Sequence, residues 1–474
     1  MVTGSPPAIV IAAPSSGSGK TTITTGLIGA LARCGHQVAP FKVGPDYIDP
    51  GYHGIAAGRP GRNLDPVLVG EDRIGPLYRS GSAGCDIAVV EGVMGLFDGR
   101  ITEDHMPAIA PGSTAQVANI LGAPVVLVVD ASGHSQSLAA ILHGFVSYDP
   151  GIDIRGVILN RVGSPRHEYV LRQACDRAGL QVFGAVPRNP EMAVPSRHLG
   201  LIPAAERGPE AIAAIEAMTE LVGGAVDVEA LVAAADIGPA GRSGPVWSAD
   251  DEVGESTSKV RDGSGQRPVI AVAAGAAFTF GYAEHGELLR AAGAEVVTFD
   301  PVVDLLPDGC AGVVIGGGFP EEHAAALASN RPLLTALRAA AGSGIPIHAE
   351  CAGLLYLSRS LDNHAMAGVL PLHGTFGKRL TLGYRDAVAI TDSVLFDAGT
   401  RVRGHEFHRT TVTAVGDSTP SAWGWRRDGV AETEGWASSA PGSAVHASYL
   451  HTHPAGNPGA VSRLVGAARR MRVG

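Results

Sequence analysis

The sequence predicts an α/β protein made of two successive sheet-and-helix units, and three observations lead there. Short β-branched runs alternate with amphipathic segments, the rhythm of a parallel sheet wrapped by helices. The first run leads directly into a Gly/Ser-rich loop and a helix-like segment, and a late apolar run stops at a single cysteine followed by another apolar segment. Both halves therefore place reactive residues where a strand ends, which is where open α/β sheets carry their chemistry.

The expected strands of the first half are Ile9 to Ile11, Ile87 to Val90, Val125 to Val129 and Gly156 to Leu159. Between Asp236 and Arg267 the composition shifts to Gly, Ser, Pro and Asp with little periodicity, which reads as an exposed linker. Strand signals resume at Val269 to Val272, Glu295 to Thr298, Gly312 to Ile315 and Ile345 to His348. The expected division is a phosphate-loop domain over 1–235, a linker over 236–267 and a second α/β domain over 268–474.

A chain of 474 residues with 45% apolar content is too long for one core and apolar enough to build two. A net charge of −10 and the lack of a basic stripe argue against nucleic acid as a partner. The five cysteines, Cys34, Cys85, Cys175, Cys310 and Cys351, form no CxxC pair, so neither a disulfide framework nor a zinc knuckle is indicated. No uncharged run reaches the roughly 20 residues that span a bilayer, and no charged leader with an apolar core opens the sequence. A soluble, cytoplasmic protein is expected.

The run Ala13-Pro-Ser-Ser-Gly-Ser-Gly-Lys-Thr-Thr22 has the order strand, glycine loop, helix that cradles nucleotide phosphates. Ser16, Gly17, Ser18 and Gly19 offer backbone N–H groups, Lys20 can neutralise β/γ charge, and Thr21 or Thr22 can ligate Mg²⁺. Pro14 replaces the first glycine of the full pattern. Further on, Phe41-Lys-Val-Gly-Pro-Asp-Tyr-Ile-Asp-Pro50 sets Asp46 and Asp49 in a turn after a strand, while Glu91 caps another strand. A carboxylate there is suited to Mg²⁺. Asn160 ends a strand as well, and is read either as an adenine contact or as a turn residue; Asp130 is read as a helix cap.

In the second half, Cys351 sits at the bend between an apolar strand and an apolar helix, a setting that exposes a thiol and favours thiolate. Upstream, Gly316-Gly-Gly-Phe-Pro-Glu321 ends a strand, and Gly317 and Gly318 could join Ala352 in donating N–H groups to an oxyanion. Downstream stand His446, His451 and His453. His451 is expected to serve the thiol with His453 orienting it; a metal site built from the three histidines is the competing reading.

These stretches, together with Arg62-Asn-Leu-Asp65, Glu91-Gly-Val-Met-Gly-Leu-Phe-Asp-Gly99, Pro195-Ser-Arg-His-Leu-Gly-Leu201, Leu382-Gly-Tyr-Arg385 and Arg403-Gly-His-Glu-Phe-His408, resemble the cobyrinate and hydrogenobyrinate a,c-diamide synthase family of cobalamin biosynthesis. The resemblance implies a dethiobiotin-synthetase-like ATP domain followed by a flavodoxin-like class I glutamine amidotransferase domain. It implies ATP and Mg²⁺ as cofactors, with Thr21, Asp46 and Glu91 at the metal, Cys351 as nucleophile and His451 as its base. A tetrapyrrole acid, glutamine and ATP would be the small-molecule partners, and a homodimer is one assembly compatible with it. For the macrocycle the resemblance offers Tyr47, Asp49, His53, Arg62 and Asn63, then Arg197 and His198, and in the second half Arg385, His405 and His408. Many glutamine amidotransferases orient the histidine with a carboxylate two residues later, a place held here by His453. Two alternatives stay open: a sister tetrapyrrole amidase (cobyric acid synthase or the nickel-sirohydrochlorin enzyme), and a nucleotide-switched scaffold ATPase with an inactive second half.

Overall fold

The structure of the chain, a computed structural model, describes residues 4–101, 107–188, 196–197, 200–201, 203, 206, 208–258, 267–416, 421–427, 429–438 and 444–471. These fall into two compact units, Met1–Trp247 and Ser248–Gly474.

Among the described residues the first unit is built on a sheet of seven strands: β1 (Ala8–Ala12), β2 (Val38–Val43), β3 (Arg62–Leu64), β4 (Ile87–Glu91), β5 (Val125–Asp130), β6 (Ile154–Val162) and β7 (Gln181–Pro187). Their order is β3-β2-β4-β1-β5-β6-β7, with every pairing parallel. β1, β2 and β4 are buried along their whole length, which is why they read as unbroken apolar runs rather than alternating ones. Helix α1 (Lys20–Arg33) leaves the end of β1 and packs Ile23, Leu27, Ile28 and Leu31 on the sheet. Its other side meets the helix Gly208–Ala225 so closely that a Cβ at Gly29 would lie 2.1 Å from Thr219 Oγ1. A small separate pair, β8 (Ser196–Arg197) with β9 (Gly200–Leu201), completes the unit.

The segment expected as an exposed linker is partly built into this unit. Asp236 bridges to Ala8, Arg242 pairs with Asp236, and Trp247 is buried with its backbone N–H donated to Pro76 O. Ile237 and Trp247 supply apolar surface that the Gly/Ser-rich composition conceals. Ala249–Ser258 is helical on either side of a break at Gly254, and 259–266 lies outside the described residues.

Among the described residues the second unit holds two sheets. The first comprises β10 (Val269–Ala273), β11 (Glu295–Phe299), β12 (Cys310–Ile315) and β13 (Ile347–Glu350), with the later strands β20 (Trp436–Ser438) and β21 (Val445–Ser448), in the order β11-β10-β12-β13-β21-β20. It is parallel except at its β20 edge. The second sheet was not signalled by the sequence: β14 (Ser360–Leu361), β15 (His364–Ala365), β16 (Leu372–Ala389) and β17 (Arg401–Ala414), with hairpin β18 (Trp423–Arg427) and β19 (Val430–Glu434). Strands β20 (Trp436–Ser438) and β21 (Val445–Ser448) close the first sheet, and β22 (His451–Thr452) joins the second. The turn Tyr449–Leu450 thus carries the chain from one sheet to the other immediately before His451. Among the described residues no helix is long and apolar enough to cross a membrane.

Candidate functional site

The loop after β1 needs its glycines. Gly17 and Gly19 adopt φ of +79° and +90°, a region open to glycine, and a Cβ on Gly19 would lie 2.3 Å from Asn160 Nδ2. Asn160 donates that nitrogen to Ser18 O at 2.9 Å and accepts from Arg161 N, so in this state it braces the loop. Ser18 turns its hydroxyl to Ser15 O, Ser16 is exposed, and Thr22 lies in the first turn of α1. Lys20 Nζ rests 2.5 Å from Met94 O and 3.5 Å from Ser15 O. Burial, then the nearby Lys42 charge, lowers its pKa to about 8.

Beyond the loop, the carboxyl ends of β2 and β4 converge. Lys42 and Glu91 are direct partners in the parallel register, and Lys42 Nζ lies 2.7 Å from Asp49 Oδ2 and 2.8 Å from Glu91 Oε1. Thr21 Oγ1 stands 3.0 Å and 2.7 Å from the same two oxygens, and His53 Nε2 lies 2.7 Å from Glu91 Oε2. Burial opposes the Lys42 charge, yet Asp49, Glu91 and Asp46 hold its pKa above the ordinary value. Glu91 is likewise desolvated, but Lys42 and His53 keep it below the usual carboxylate range; burial and Asp46 push Asp49 up.

The carboxylate that joins this cluster is Asp49. Asp46, expected at the metal, uses Oδ1 to accept from Ile48 N and Asp49 N, with Oδ2 3.9 Å from Lys42. It holds the turn into helix α2 (Asp49–Ala57), as short Asp side chains commonly do. Asn63 clamps the same loop by donating to Gly44 O and Asp46 O. Tyr47 is buried beside it, and Arg62 stands in β3. Arg197 lies in β8 and His198 lies outside the described residues. Asp130 accepts from Ser132 N and pairs with Arg161. In this unit sequence reasoning missed Lys42. Its signal was present, because a lysine inside an otherwise apolar buried strand must have anionic partners.

Asp49 Oδ2 and Glu91 Oε1 both rest on the Lys42 ammonium, and the Thr21 hydroxyl lies within hydrogen-bond reach of both, so two carboxylates and a hydroxyl of the kind a magnesium ion takes are gathered at one point. Among the described residues no group of three or more His, Cys, Asp or Glu could hold a metal. Phosphate oxygens would therefore have to complete a magnesium shell, and the three-histidine metal site of the competing reading is not formed.

In the second unit Cys351 occupies the bend between β13 and the helix Ala352–Leu357, at φ +50° and ψ −98°. Its N–H donates to Ser448 O at 2.7 Å, and its sulfur lies 3.9 Å from Phe407 O. Burial, then the charges of Glu321, Glu350 and Glu434, pushes the thiol above its ordinary pKa, with only the Ala352 N–H prominent against them. Burial thus works against the thiolate that the bend was expected to favour, and the helix behind the sulfur has only six residues.

The glycines at the end of β12 make room for this bend. A Cβ on Gly317 would lie 2.4 Å from His451 Cε1, one on Gly318 2.1 Å from Ala277 O, and one on Gly353 2.3 Å from Ile315 O. His451 is buried, and its Nδ1 lies 3.7 Å from Glu350 Oε2. Glu350 Oε1 accepts from Thr452 N and Oγ1 and lies 3.3 Å from His348 Nε2. Burial would raise the Glu350 carboxyl, but the imidazoles of His348 and His451 hold it well below the usual range.

His453 is turned elsewhere. Its Nδ1 accepts from Ala455 N and its ring packs 4.0 Å from that of Tyr282. The carboxylate nearest His451 is therefore Glu350, which sequence reasoning passed over although it directly precedes the cysteine. Arg385, His405 and His408 are gathered on β16 and β17: Arg385 pairs with Glu406 at 2.6 Å, His408 stacks on Tyr449 at 3.7 Å, and His405 lies opposite His451 in the β17–β22 register.

Two family models match the chain: residues 9–202 fit the CobQ/CobB/MinD/ParA nucleotide binding domain, and residues 269–458 fit the CobB/CobQ-like glutamine amidotransferase domain. The hydrogenobyrinate a,c-diamide synthase of Mycobacterium bovis is 57% identical over 458 residues, covering 97% of each chain. That of Streptomyces coelicolor is 53% identical over 481 residues with the same coverage, and the cobyrinate a,c-diamide synthase of Gloeobacter violaceus is 41% identical over 94% of this chain and 93% of its own. A nucleotide-binding unit and an amidotransferase unit in this order, with identity sustained along nearly the whole length, place the chain in the hydrogenobyrinate and cobyrinate a,c-diamide synthase family.

Proposed function

We propose that this protein is an ATP- and glutamine-dependent amide ligase of the cytoplasm that converts the a and c carboxylates of hydrogenobyrinate or cobyrinate into amides. The observation that carries this reading is the 57% identity to a synthase named for that reaction across 97% of both chains; the geometry of both sites supports it.

In the second unit, the Cys351 thiol adds to the carboxamide carbon of glutamine while its proton passes to His451. The N–H of Ala352 and those beside Gly317 and Gly318 take the developing oxyanion. His451 returns the proton to nitrogen, the C–N bond breaks, and ammonia leaves a thioester that water then hydrolyses.

In the first unit, the loop N–H groups and Lys20 hold the β- and γ-phosphates of ATP. A substrate carboxylate attacks the γ-phosphorus, ADP departs, and ammonia displaces phosphate from the acyl phosphate. Magnesium held by Thr21, Asp49 and Glu91 would supply charge neutralisation on the transferring group. Lys42 keeps the two carboxylates supplied with a counter-charge, and His53 fixes the far oxygen of Glu91. Tyr47, Arg62, Asn63, Arg197, His198, Arg385, His405 and His408 remain candidates for the propionate and acetate arms of the ring.

The test is incubation of the full chain with glutamine, ATP, Mg²⁺ and each ring acid in turn, with products weighed by mass spectrometry. Two successive products, each lighter by the difference between an acid and its amide, are expected from hydrogenobyrinate or cobyrinate. Amidation only of a sister tetrapyrrole would overturn the assignment.

A further inference from the structure

We infer that Glu350 orients His451, and that His348 holds Glu350 for that task, so that the strand delivering the nucleophile also delivers the groups that aim its base. This deepens the reading of Cys351 and His451 as nucleophile and base and rests on it.

The argument starts from the strand. Side chains two apart on a β-strand share a face, so His348 and Glu350 of β13 stand together, with His348 Nε2 3.3 Å from Glu350 Oε1. That oxygen also accepts from Thr452 N at 3.1 Å and Thr452 Oγ1 at 2.9 Å, fixing the carboxylate to the residue that follows His451. With Oε1 held from two sides, Oε2 points at His451 Nδ1, 3.7 Å away. An ion-pair separation of this size shortens to a hydrogen bond once the imidazole takes up a proton, and long catalytic contacts are common in resting sites. A proton on Nδ1 facing Glu350 leaves Nε2 as the basic nitrogen, which is the tautomer needed to accept the thiol proton. The carboxylate stays ionised throughout and stabilises the imidazolium. No other atom balance changes: the proton moves from sulfur to His451 and from His451 to the departing nitrogen.

The experiment uses full-length protein carrying Glu350→Gln, His348→Phe or His348→Gln beside wild type and Cys351→Ala. Each sample is assayed for amidation driven by glutamine and by ammonium chloride, and the ratio of the two cancels losses of folding. Glu350→Gln is expected to lower the glutamine-driven kcat by about 10²- to 10⁴-fold while the KM for glutamine stays within about twofold. His348→Phe is expected to lower it about tenfold, the worth of one hydrogen bond to a charged group. His348→Gln, whose amide N–H can reach the same oxygen, should recover most of that loss. The inference is overturned if Glu350→Gln leaves the ratio unchanged, if its effect lies in KM alone, or if His348→Gln is no better than His348→Phe. Glutamine-driven turnover that survives in Cys351→Ala would instead overturn the reading of the nucleophile.

Discussion

In the first unit, Lys42 is sealed at 4% exposure among Asp49, Glu91 and Asp46, and Glu91 is fully buried. In the second, Cys351 is just as buried, yet burial and neighbouring carboxylates push its thiol above the ordinary pKa, and Glu350 is turned toward imidazoles. The difference teaches how each site relates to its chemistry. Where several charges are buried together, the ions must neutralise one another. A buried thiol needs no counter-ion at rest, and asks for neighbours that are aimed rather than paired.

The largest effect expected from this contrast is on the thiol. Cys351→Ala should lower glutamine-driven amidation by at least about 10⁴-fold, with ammonia-driven amidation retained; equal losses in both assays would erase the separation of the two sites. Next comes Lys42→Met, which strands two buried carboxylates and should cost about 3–5 kcal/mol of stability, read as a lower denaturant midpoint for the first unit. No change there would mean that the cluster is already hydrated and unlike its description. Gly317→Ala places a methyl 2.4 Å from His451 Cε1 and should reduce glutamine-driven kcat about 10²-fold by displacing the imidazole, leaving ATP-dependent use of ammonia intact.

The smallest effect concerns pH. Burial raises the Glu434 carboxyl from its ordinary value of 4.5 to about 8, although it accepts from Tyr449 N at 2.7 Å. Between those values the folded protein holds a proton that the unfolded chain has released, so stability falls as pH rises through the window. Glu434→Gln keeps an acceptor for Tyr449 and should flatten the pH dependence of the second unit's melting temperature from about pH 5 to 8. An unaltered slope would assign that dependence to other groups.

Much of this arrangement was legible because strands buried on both faces announce themselves: β1, β4, β5 and β12 lie where unbroken Val, Ile and Ala runs stand. Strand β13 begins two residues later than expected, since Pro346 precedes it and Ile347 is the first residue in register with β12. The long strands β16 and β17 were not visible, because much of each carries Arg, Thr, Gly and His facing solvent or one another. The phosphate loop and the bend at Cys351 could be read from local order alone. Lys42 needed the β2–β4 register, and Glu350 needed a partner 102 residues away in Thr452. Asp46 and Asp49 looked alike in sequence, and only the turn separates a carboxylate that caps backbone from one that meets Thr21.

Cys351 bends the chain through a left-handed conformation that a residue with a side chain adopts at a cost of about 1–3 kcal/mol. Glycine would relieve that penalty, so the most comfortable occupant of the position is one that carries no sulfur at all. A chemically silent descendant of this fold would be expected to drift toward glycine there and become sturdier for it. On the reading proposed above, the strain at Cys351 is the mark of a nucleophile at work.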